Sequence, residues 1–392
     1  MAKEYNYDIG CVPSTFWFGF VGSNILVPII ALLSGIKVKP DREFLKAEGP
    51  IIVIANHESF LDPMVTSRLT HGRKVNFVCG EFLFRKHFWG HVFKLGGAIP
   101  KKQFAVDTSA VKAMMKVMKR NGVLVIYPEA TRHVDGHTTD RFDDGVAKFA
   151  KKAGASIYVQ HIHGAYLTMP RWCSRLRIRR GRISSEFVRV ITREEISSMT
   201  VEELDREIKS SIDYDENEWA RQSGIRFGSK KLAEGLNNIA YRCPCCDVSF
   251  ALKWDGNNSI ICDKCKTAYE YHPDGTITYK DKAFDLHKWT EWEKKRIEEG
   301  SITAFSSECE VFREKDQFTF EKVDEGTFLI SNGEIHFLGS EEIRYNTSRL
   351  RGMVCKYGSN IEIYDSKGGL TRFVLPGDKI FMIQQMSELS HE

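Results

Sequence analysis

Much that would place a chain at once is missing from these 392 residues. There is no internal repeat and no low-complexity stretch, and with 42% hydrophobic and 11% aromatic residues the chain is neither collagen-like nor disordered. Neither sign of charge dominates, since the formal balance is only +4. A mean hydropathy of −0.32 excludes a polytopic membrane protein. A secretory signal peptide is not expected: Lys3, Glu4 and Asp8 stand among the first eight residues, and no small-residue cleavage site follows the apolar stretch. The length allows two or three folding units.

The near-neutral total hides an asymmetry. Residues 1–240 carry 36 Lys+Arg against 26 Asp+Glu, a balance of +10, whereas residues 241–392 carry 20 against 26, a balance of −6. The first part is the better partner for phosphates or a membrane surface. Charge is absent altogether from Ile9 to Ile36, 28 positions rich in aromatic and aliphatic side chains. That length covers a hydrocarbon core. The interruptions at Gly22, Ser23 and Asn24 suit a helical hairpin dipping into one leaflet better than a straight spanning helix, and Trp17 suits the interfacial zone. We expect residues 1–40 to form a membrane-associated helical segment.

After Pro40 strands and helices alternate. Ile51–Ala55, Val75–Cys79, Val123–Tyr127 and Ser156–His161 are short apolar runs of the kind found inside parallel sheets. Helical spacing covers Phe104–Arg120, with Val106 on its apolar face, and Asp144–Gly154. A capping box, Thr200-x-x-Glu203, opens a further helix lined by Val201, Leu204, Ile208 and Ile212. The fold class is therefore α/β, built on a mainly parallel sheet, over residues 41–240. Residues 281–299 read as an amphipathic helix within a connector, 276–300. From Ser301 to the end the pattern is strands separated by turns, with Asn332-Gly333 as a hairpin signal and a closing helix over Asp378–Leu389.

Two polar clusters follow inner strands. Asn56-His57-Glu58-Ser59-Phe60-Leu61-Asp62-Pro63 places His57 in a strand-to-helix loop and Asp62 as the cap of the next helix. Open α/β sheets bind ligands at this end of their strands. Asp62 can accept from one imidazole nitrogen and leave the other basic, a general-base dyad; a surface histidine beside an ordinary cap has the same spacing. Tyr127-Pro128-Glu129-Ala130-Thr131-Arg132 follows the strand at 123–127, and taken alone it reads as a strand-end salt bridge.

Together, N-H-x4-D and, about 65 residues later, Y-P-E-A-T-R resemble the signature of the lysophosphatidic acid acyltransferases (1-acylglycerol-3-phosphate acyltransferases) over roughly residues 15–215. The first motif matches fully. In the second, Tyr127 stands for Phe and Ala130 for Gly, an exchange that asks for a negative φ. A glycine-led strand motif maps loosely onto residues 97–102, with Gln103 near the position of a family Arg. The resemblance implies an O-acyltransferase with membrane-embedded amino-terminal helices at the cytoplasmic face of a membrane. His57 would take the proton of a lysophospholipid hydroxyl, Asp62 would hold the imidazole, and backbone amides near the helix start would receive the oxyanion. The alkoxide would attack an acyl-CoA or acyl carrier protein thioester. Asn56, Lys101, Lys102, Glu129, Thr131 and Arg132 would bind the acceptor, with His161 and His163 as further polar lining or plain strand residues. No covalent acyl-enzyme is implied, which fits the missing serine or cysteine elbow. Another lysolipid or glycerol phosphate is the alternative acceptor, and a non-catalytic scaffold retaining the fold is the rival outside catalysis.

Two further features lie outside the resemblance. Residues 151–182 hold eight Lys+Arg and no acid, and Arg175, Arg177 and Arg179 share one face if they lie on a strand. Cys243-x2-Cys246, fifteen residues, then Cys262-x2-Cys265 is zinc-ribbon spacing over 241–275. Four thiolates make a closed, structural Zn2+ site, with Cys245 as a competing register. The local charge does not favour nucleic acid, so the ribbon and the β-rich module at 301–392, similar in pattern to a pleckstrin-homology-like barrel, are candidates for docking a protein partner.

Overall fold

The computed structural model describes residues 10–85, 87–139, 142, 145–173, 177–315, 319–350, 352–364 and 369–390. Arg175, Asp144 and residues 1–9 lie outside these. The chain divides into two compact units, one formed by Met1–Pro170 and Ile178–Phe227, the other by Arg171–Arg177 and Gly228–Glu392.

The first unit is built on six strands: β1 (Ile51–Ala55), β2 (Val75–Gly80), β3 (Ile99–Lys101), β4 (Val123–Ile126), β5 (Ser156–His163) and β6 (Ser184–Ile191). Their order is β3-β2-β4-β1-β5-β6, and every neighbouring pair is parallel except β5 with β6. Strands β1 and β4 are buried along their whole length, which explains their unbroken apolar sequence. Side chains alternate between two cores. Ile52, Ile54, Leu124 and Ile126 meet the helices Thr108–Lys119, Gly145–Ala153 and Val201–Ile212 on one face. Ile51, Val53, Val123 and Val125 pack with Phe44 on the other.

Three expectations change here. The helix after β3 begins at Thr108, not Phe104, because Phe104 has φ +55° and Asp107 caps the helix by accepting from the Ala110 N–H. Val106 is consequently outside the helix and exposed. The amino-terminal segment is one continuous helical run, Thr15–Ser34, and not a hairpin. From Thr15 to Leu26 it has the wide π-type winding. Ser23 and Asn24 do not break it; their side chains donate to the carbonyls of Phe18 and Gly19, five residues back, and so satisfy the wider turns. The run is long and apolar enough to cross a membrane, and Phe16, Phe20, Ile29, Leu32 and Leu33 are exposed along it. Finally, Arg177 and Arg179 do not lie on a strand. Arg179 is buried and donates to the Leu167 carbonyl, while Arg177 pairs with Glu234 at 2.6 Å.

In the second unit, β7 (Leu252–Trp254), β8 (Ser259–Cys262), β9 (Ala268–Tyr271), β10 (Ile277–Tyr279) and β11 (Lys282–Phe284) form an antiparallel meander. Residues 282–284 pair with β10, so the following helix starts later than expected, at Leu286, with Asp285 as its cap. Seven antiparallel strands follow, β12 (Ala304–Glu314), β13 (Phe320–Ser331), β14 (Glu334–Leu338), β15 (Glu342–Asn346), β16 (Val354–Lys356), β17 (Asn360–Tyr364) and β18 (Leu370–Val374), in the order β15-β14-β13-β12-β18-β17-β16. Asn332 and Gly333, both at positive φ, turn β13 into β14. The helix Ile380–Leu389 closes the unit.

The capping box is formed: the Glu203 N–H donates to Thr200 Oγ1 at 3.1 Å, and the Thr200 N–H donates to Glu203 Oε2 at 2.7 Å. Thr200→Ala should cost about 1 kcal/mol, read as a lower urea midpoint with an unchanged slope.

Candidate active site

Strands β1 and β4 are parallel neighbours, so the loops that leave their carboxyl ends lie side by side. These loops carry the two polar motifs. In the first, His57 Nδ1 lies 2.7 Å from Asp62 Oδ2. Asp62 is fully buried, while the His57 side chain keeps 21% of its exposure. With Nδ1 engaged by the carboxylate, the tautomer that leaves Nε2 basic is favoured. Asp62 is not the cap of its helix, as its spacing before Pro63 had suggested; Leu61 occupies that position and Asp62 is the first helical residue. Its carboxylate turns back into the loop and accepts from the Glu58 N–H (2.7 Å), the Ser59 N–H (2.9 and 3.0 Å) and the Ser59 hydroxyl (3.2 Å). The Leu61 N–H goes to Ser59 Oγ. The amides at 58, 59 and 61, just ahead of the helix start near which oxyanion donors were expected, are spent on holding the loop.

The second motif supports the first. The Tyr127 ring stacks on His57, with centroids 4.4 Å apart and planes 22° from parallel. Glu129 Oε1 accepts from the His57 N–H at 2.8 Å. The Arg132 guanidinium lies over the Phe60 ring, 3.7 Å from its centroid, and this brings the cation beside the His57 loop. Thr131 is half-buried in the intervening turn. Ala130 has φ +55°, the conformation that glycine adopts freely and alanine does not. Its N–H donates to the Tyr127 carbonyl, and its own carbonyl accepts from the Gln103 amide. Gln103 thus ties the segment after β3 to the second motif.

Other expected substrate contacts fall elsewhere. Asn56 is fully buried; its amide bonds both the N–H and the carbonyl of Ile162 and also donates to Glu58, so it locks β1 to β5 and does not face a ligand. Glu129 is buried too and faces the His57 backbone. Lys101 ends β3, two strand positions from β4, on the order of 10 Å at ordinary strand spacing. The Lys102 N–H donates to Asp107. On β5, His161 contacts the Ser211 carbonyl, and His163 meets the Tyr214 hydroxyl at 2.9 Å and stacks on Trp219. Burial pushes His163 down to about 4, so it is neutral near pH 7.

Sequence reasoning missed a buried polar network beneath the dyad. His133 Nε2 lies 2.7 Å from Glu129 Oε2, and its Nδ1 lies 3.1 Å from Glu58 Oε1. Burial opposes charge on His133, but Glu129 and Glu58 outweigh it and hold the imidazole well above its ordinary value. Burial pushes the Glu58 carboxyl up to about 7 against the pull of His133. Nearby, Glu216 accepts from the Gly164 and Leu167 N–H groups and from the Tyr214 hydroxyl. Nothing in the spacing of Glu58, His133 or Glu216 marks them, because two loops and the start of the helix Glu216–Ser223 bring them together. The strain at Ala130 gives a direct expectation: Ala130→Gly should raise stability by about 0.5–1 kcal/mol, the relief of a left-handed alanine less the greater chain entropy of glycine, measured by chemical denaturation.

In the second unit Cys243, Cys246, Cys262 and Cys265 place their sulfurs within 4.8 Å of one another. Cys243 to Cys265 and Cys246 to Cys262 are each 3.7 Å. Tetrahedral zinc with Zn–S bonds of about 2.3 Å needs sulfurs about 3.8 Å apart, so the set fits that ion. Both knuckles have the same form: the residue after the second cysteine, Asp247 or Lys266, has positive φ and donates its N–H to the carbonyl of the first cysteine. Cys245 is exposed and outside the cluster, and Cys246 lies within it.

Residues 36–162 match the family model described as Acyltransferase. The chain is 25% identical over 168 residues to the chloroplastic 1-acyl-sn-glycerol-3-phosphate acyltransferase LPAT1 of Arabidopsis thaliana, covering 42% of this chain and 45% of that protein. It is 25% identical over 126 residues to the chloroplastic 1-acyl-sn-glycerol-3-phosphate acyltransferase BAT2 of Brassica napus, covering 32% and 36%. Among solved structures, the 1-acyl-sn-glycerophosphate acyltransferase PlsC of Thermotoga maritima superposes with a TM-score of 0.41 at 20% identity, covering 54% of this chain and 79% of that one. The chain spans less than half the length of the curated relatives it matches. Both sequence motifs and the dyad fall inside residues 36–162, the segment that is similar to the acyltransferase family model.

Proposed function

We propose that this chain is an O-acyltransferase that moves an acyl group from a thioester, acyl-CoA or acyl carrier protein, to the free hydroxyl of lysophosphatidic acid, giving phosphatidic acid. The observation that carries the reading is the 2.7 Å contact between a part-exposed His57 and a fully buried Asp62 at the carboxyl end of β1. His57 Nε2 takes the hydroxyl proton as the oxygen attacks the thioester carbonyl. A C–O bond forms, the C–S bond breaks, and the proton passes from Nε2 to the departing thiolate. Asp62 stabilises the imidazolium that exists between these steps, and the face of Tyr127 lies against it. Arg132, held over Phe60, receives the acceptor's phosphate, with Thr131 beside it. Lys101 and Lys102 supply more distant positive charge.

The acceptor is a lipid, and the exposed apolar side of Thr15–Ser34 gives the domain a surface to enter a bilayer. Ten free cysteines fit the reducing, cytoplasmic side of that membrane. The four clustered cysteines hold a structural zinc ion: all four positions of a tetrahedron are filled by protein thiolates, which leaves no place for substrate.

Detergent-purified protein given acyl-CoA and lysophosphatidic acid should release free CoA thiol only when the acceptor is present. His57→Ala should lower kcat by about 10²–10⁴-fold, and Arg132→Ala should act mainly on KM. Release that is independent of acceptor, or equal in His57→Ala, would sink the mechanism. For the metal, one zinc per chain is expected by elemental analysis, with the four clustered thiols reacting with a thiol reagent only after a chelator is added. A zinc content well below one with these thiols freely reactive would refute the site.

A further inference from the structure

His57 is held at both ends of its backbone by the segment that follows β4. Its N–H donates to Glu129 Oε1 at 2.8 Å, and its carbonyl accepts from the His133 N–H at 2.7 Å. The His133 ring then grips Glu129 itself, with Nε2 2.7 Å from Oε2, while Nδ1 lies 3.1 Å from Glu58 Oε1 on the other side. All three side chains are fully buried. Both ring nitrogens lie at ion-pair distance from carboxylates, with neither N–H in line for a hydrogen bond. An imidazolium sets its positive charge against both carboxylates, which a neutral imidazole does not.

We propose that His133 is a positioning residue for acyl transfer: its buried imidazolium fixes the Glu129 carboxylate against the His57 N–H and so holds the His57–Asp62 dyad in one register. The inference rests on the acyltransferase reading above. The two arms of His133 are not equivalent. Through Nε2 it reaches the carboxylate that bonds the His57 backbone directly. Through Nδ1 it reaches Glu58, which is also held by the Asn56 amide and touches Asp62 only through its own N–H. The charge on the ring is also needed locally, because Asp62, Glu58 and Glu129 are all buried carboxylates and Glu216 bears on Glu58 as well. The elevated affinity of His133 for its proton agrees with this arrangement.

The inequality of the arms supplies a test that a merely structural role would not pass. A glutamine amide reaches the place of Nε2, and an asparagine amide the place of Nδ1. His133→Gln keeps a donor on Glu129, and His133→Asn keeps one on Glu58. Both remove the same charge, so loss of stability affects them alike. In full-length protein in detergent, His133→Gln should retain kcat within about fivefold of wild type, while His133→Asn loses about 10²-fold, with KM in both within about threefold. Equal losses, the reverse order, or an effect confined to KM would overturn the proposal. If the wild type itself transfers no acyl group, the acyltransferase reading fails, and the placement of His133 is still decided by ¹⁵N-histidine NMR. A His133 ring protonated on both nitrogens at pH 8 supports it, and a neutral ring at that pH overturns it.

Discussion

A carboxylate taken out of water must be met by donors, and the loop after β1 is shaped by that demand at Asp62. Burying an unpaired carboxylate costs several kcal/mol, whereas each hydrogen bond to the charged group returns about 1.5–3 kcal/mol. Four donors converge on it: His57, the Glu58 and Ser59 amides, and the Ser59 hydroxyl. This explains why Asp62 does not cap its own helix. A capping carboxylate serves amides ahead of it, and this one is committed to the loop behind it. The same commitment fixes the side of the imidazole that is occupied, and hence the nitrogen left for chemistry. Position in the sequence set the expectation of a cap, but satisfaction of the buried charge decided the geometry.

The inner strands were legible because burial on both faces writes itself as unbroken apolar runs, as in Ile51–Ala55 and Val123–Ile126. The capping box at Thr200, the Asn332-Gly333 turn and the four cysteines were legible for a similar reason. Each is a local device whose residues stand at fixed offsets. What escaped notice was non-local. The pairing of His133 with Glu58 joins positions 75 apart along the chain, and no periodicity announces it. Asn56 was misread for the opposite reason. A polar residue beside a motif looks like a ligand contact, yet its amide is consumed by the backbone of β5. Ser23 and Asn24 looked like helix breakers, and became helix bonds once the turns widened.

In the second unit the cysteine cluster is fastened from outside as well as by its sulfurs. Tyr269 places its hydroxyl 3.1 Å from Cys243 Sγ and accepts from the Cys245 N–H. Glu293, buried on the helix Leu286–Glu298, accepts from the Tyr241 and Arg242 N–H groups just before the first knuckle, and Trp289 donates to the Arg242 carbonyl. Burial pushes the Glu293 carboxyl well above its ordinary range, with the two amides pulling the other way. Arg242 and Arg296 both pair with Asp247, the left-handed residue of that knuckle. The helix therefore supports the backbone that presents Cys243 and Cys246. A ribbon of five short strands has little apolar core of its own, and such supports together with a metal are how small units of this kind reach stability.

Ala130 and Gln103 show how two of the departures from the family pattern meet in one place. The turn Tyr127–Ala130 needs a left-handed last residue, and with alanine there it costs about 1–2 kcal/mol. Strain of that size persists only where the surroundings over-determine it. Here they do: the Ala130 N–H is held by the Tyr127 carbonyl, its carbonyl by the Gln103 side chain, Glu129 by His57 and His133, and Arg132 by Phe60. Gln103, standing near the position where the family pattern carries a cation, is spent on this internal tie. The cation that the family pattern carries on the β3 side is thereby absent at position 103. On the acyltransferase reading proposed above, the acceptor's phosphate is left to Arg132, beside the dyad, with Lys101 set back by about two strand spacings. An acceptor held this way is anchored close to the reacting hydroxyl. Discrimination among acceptors then falls on the geometry between Arg132 and His57, not on a second, distant cationic contact.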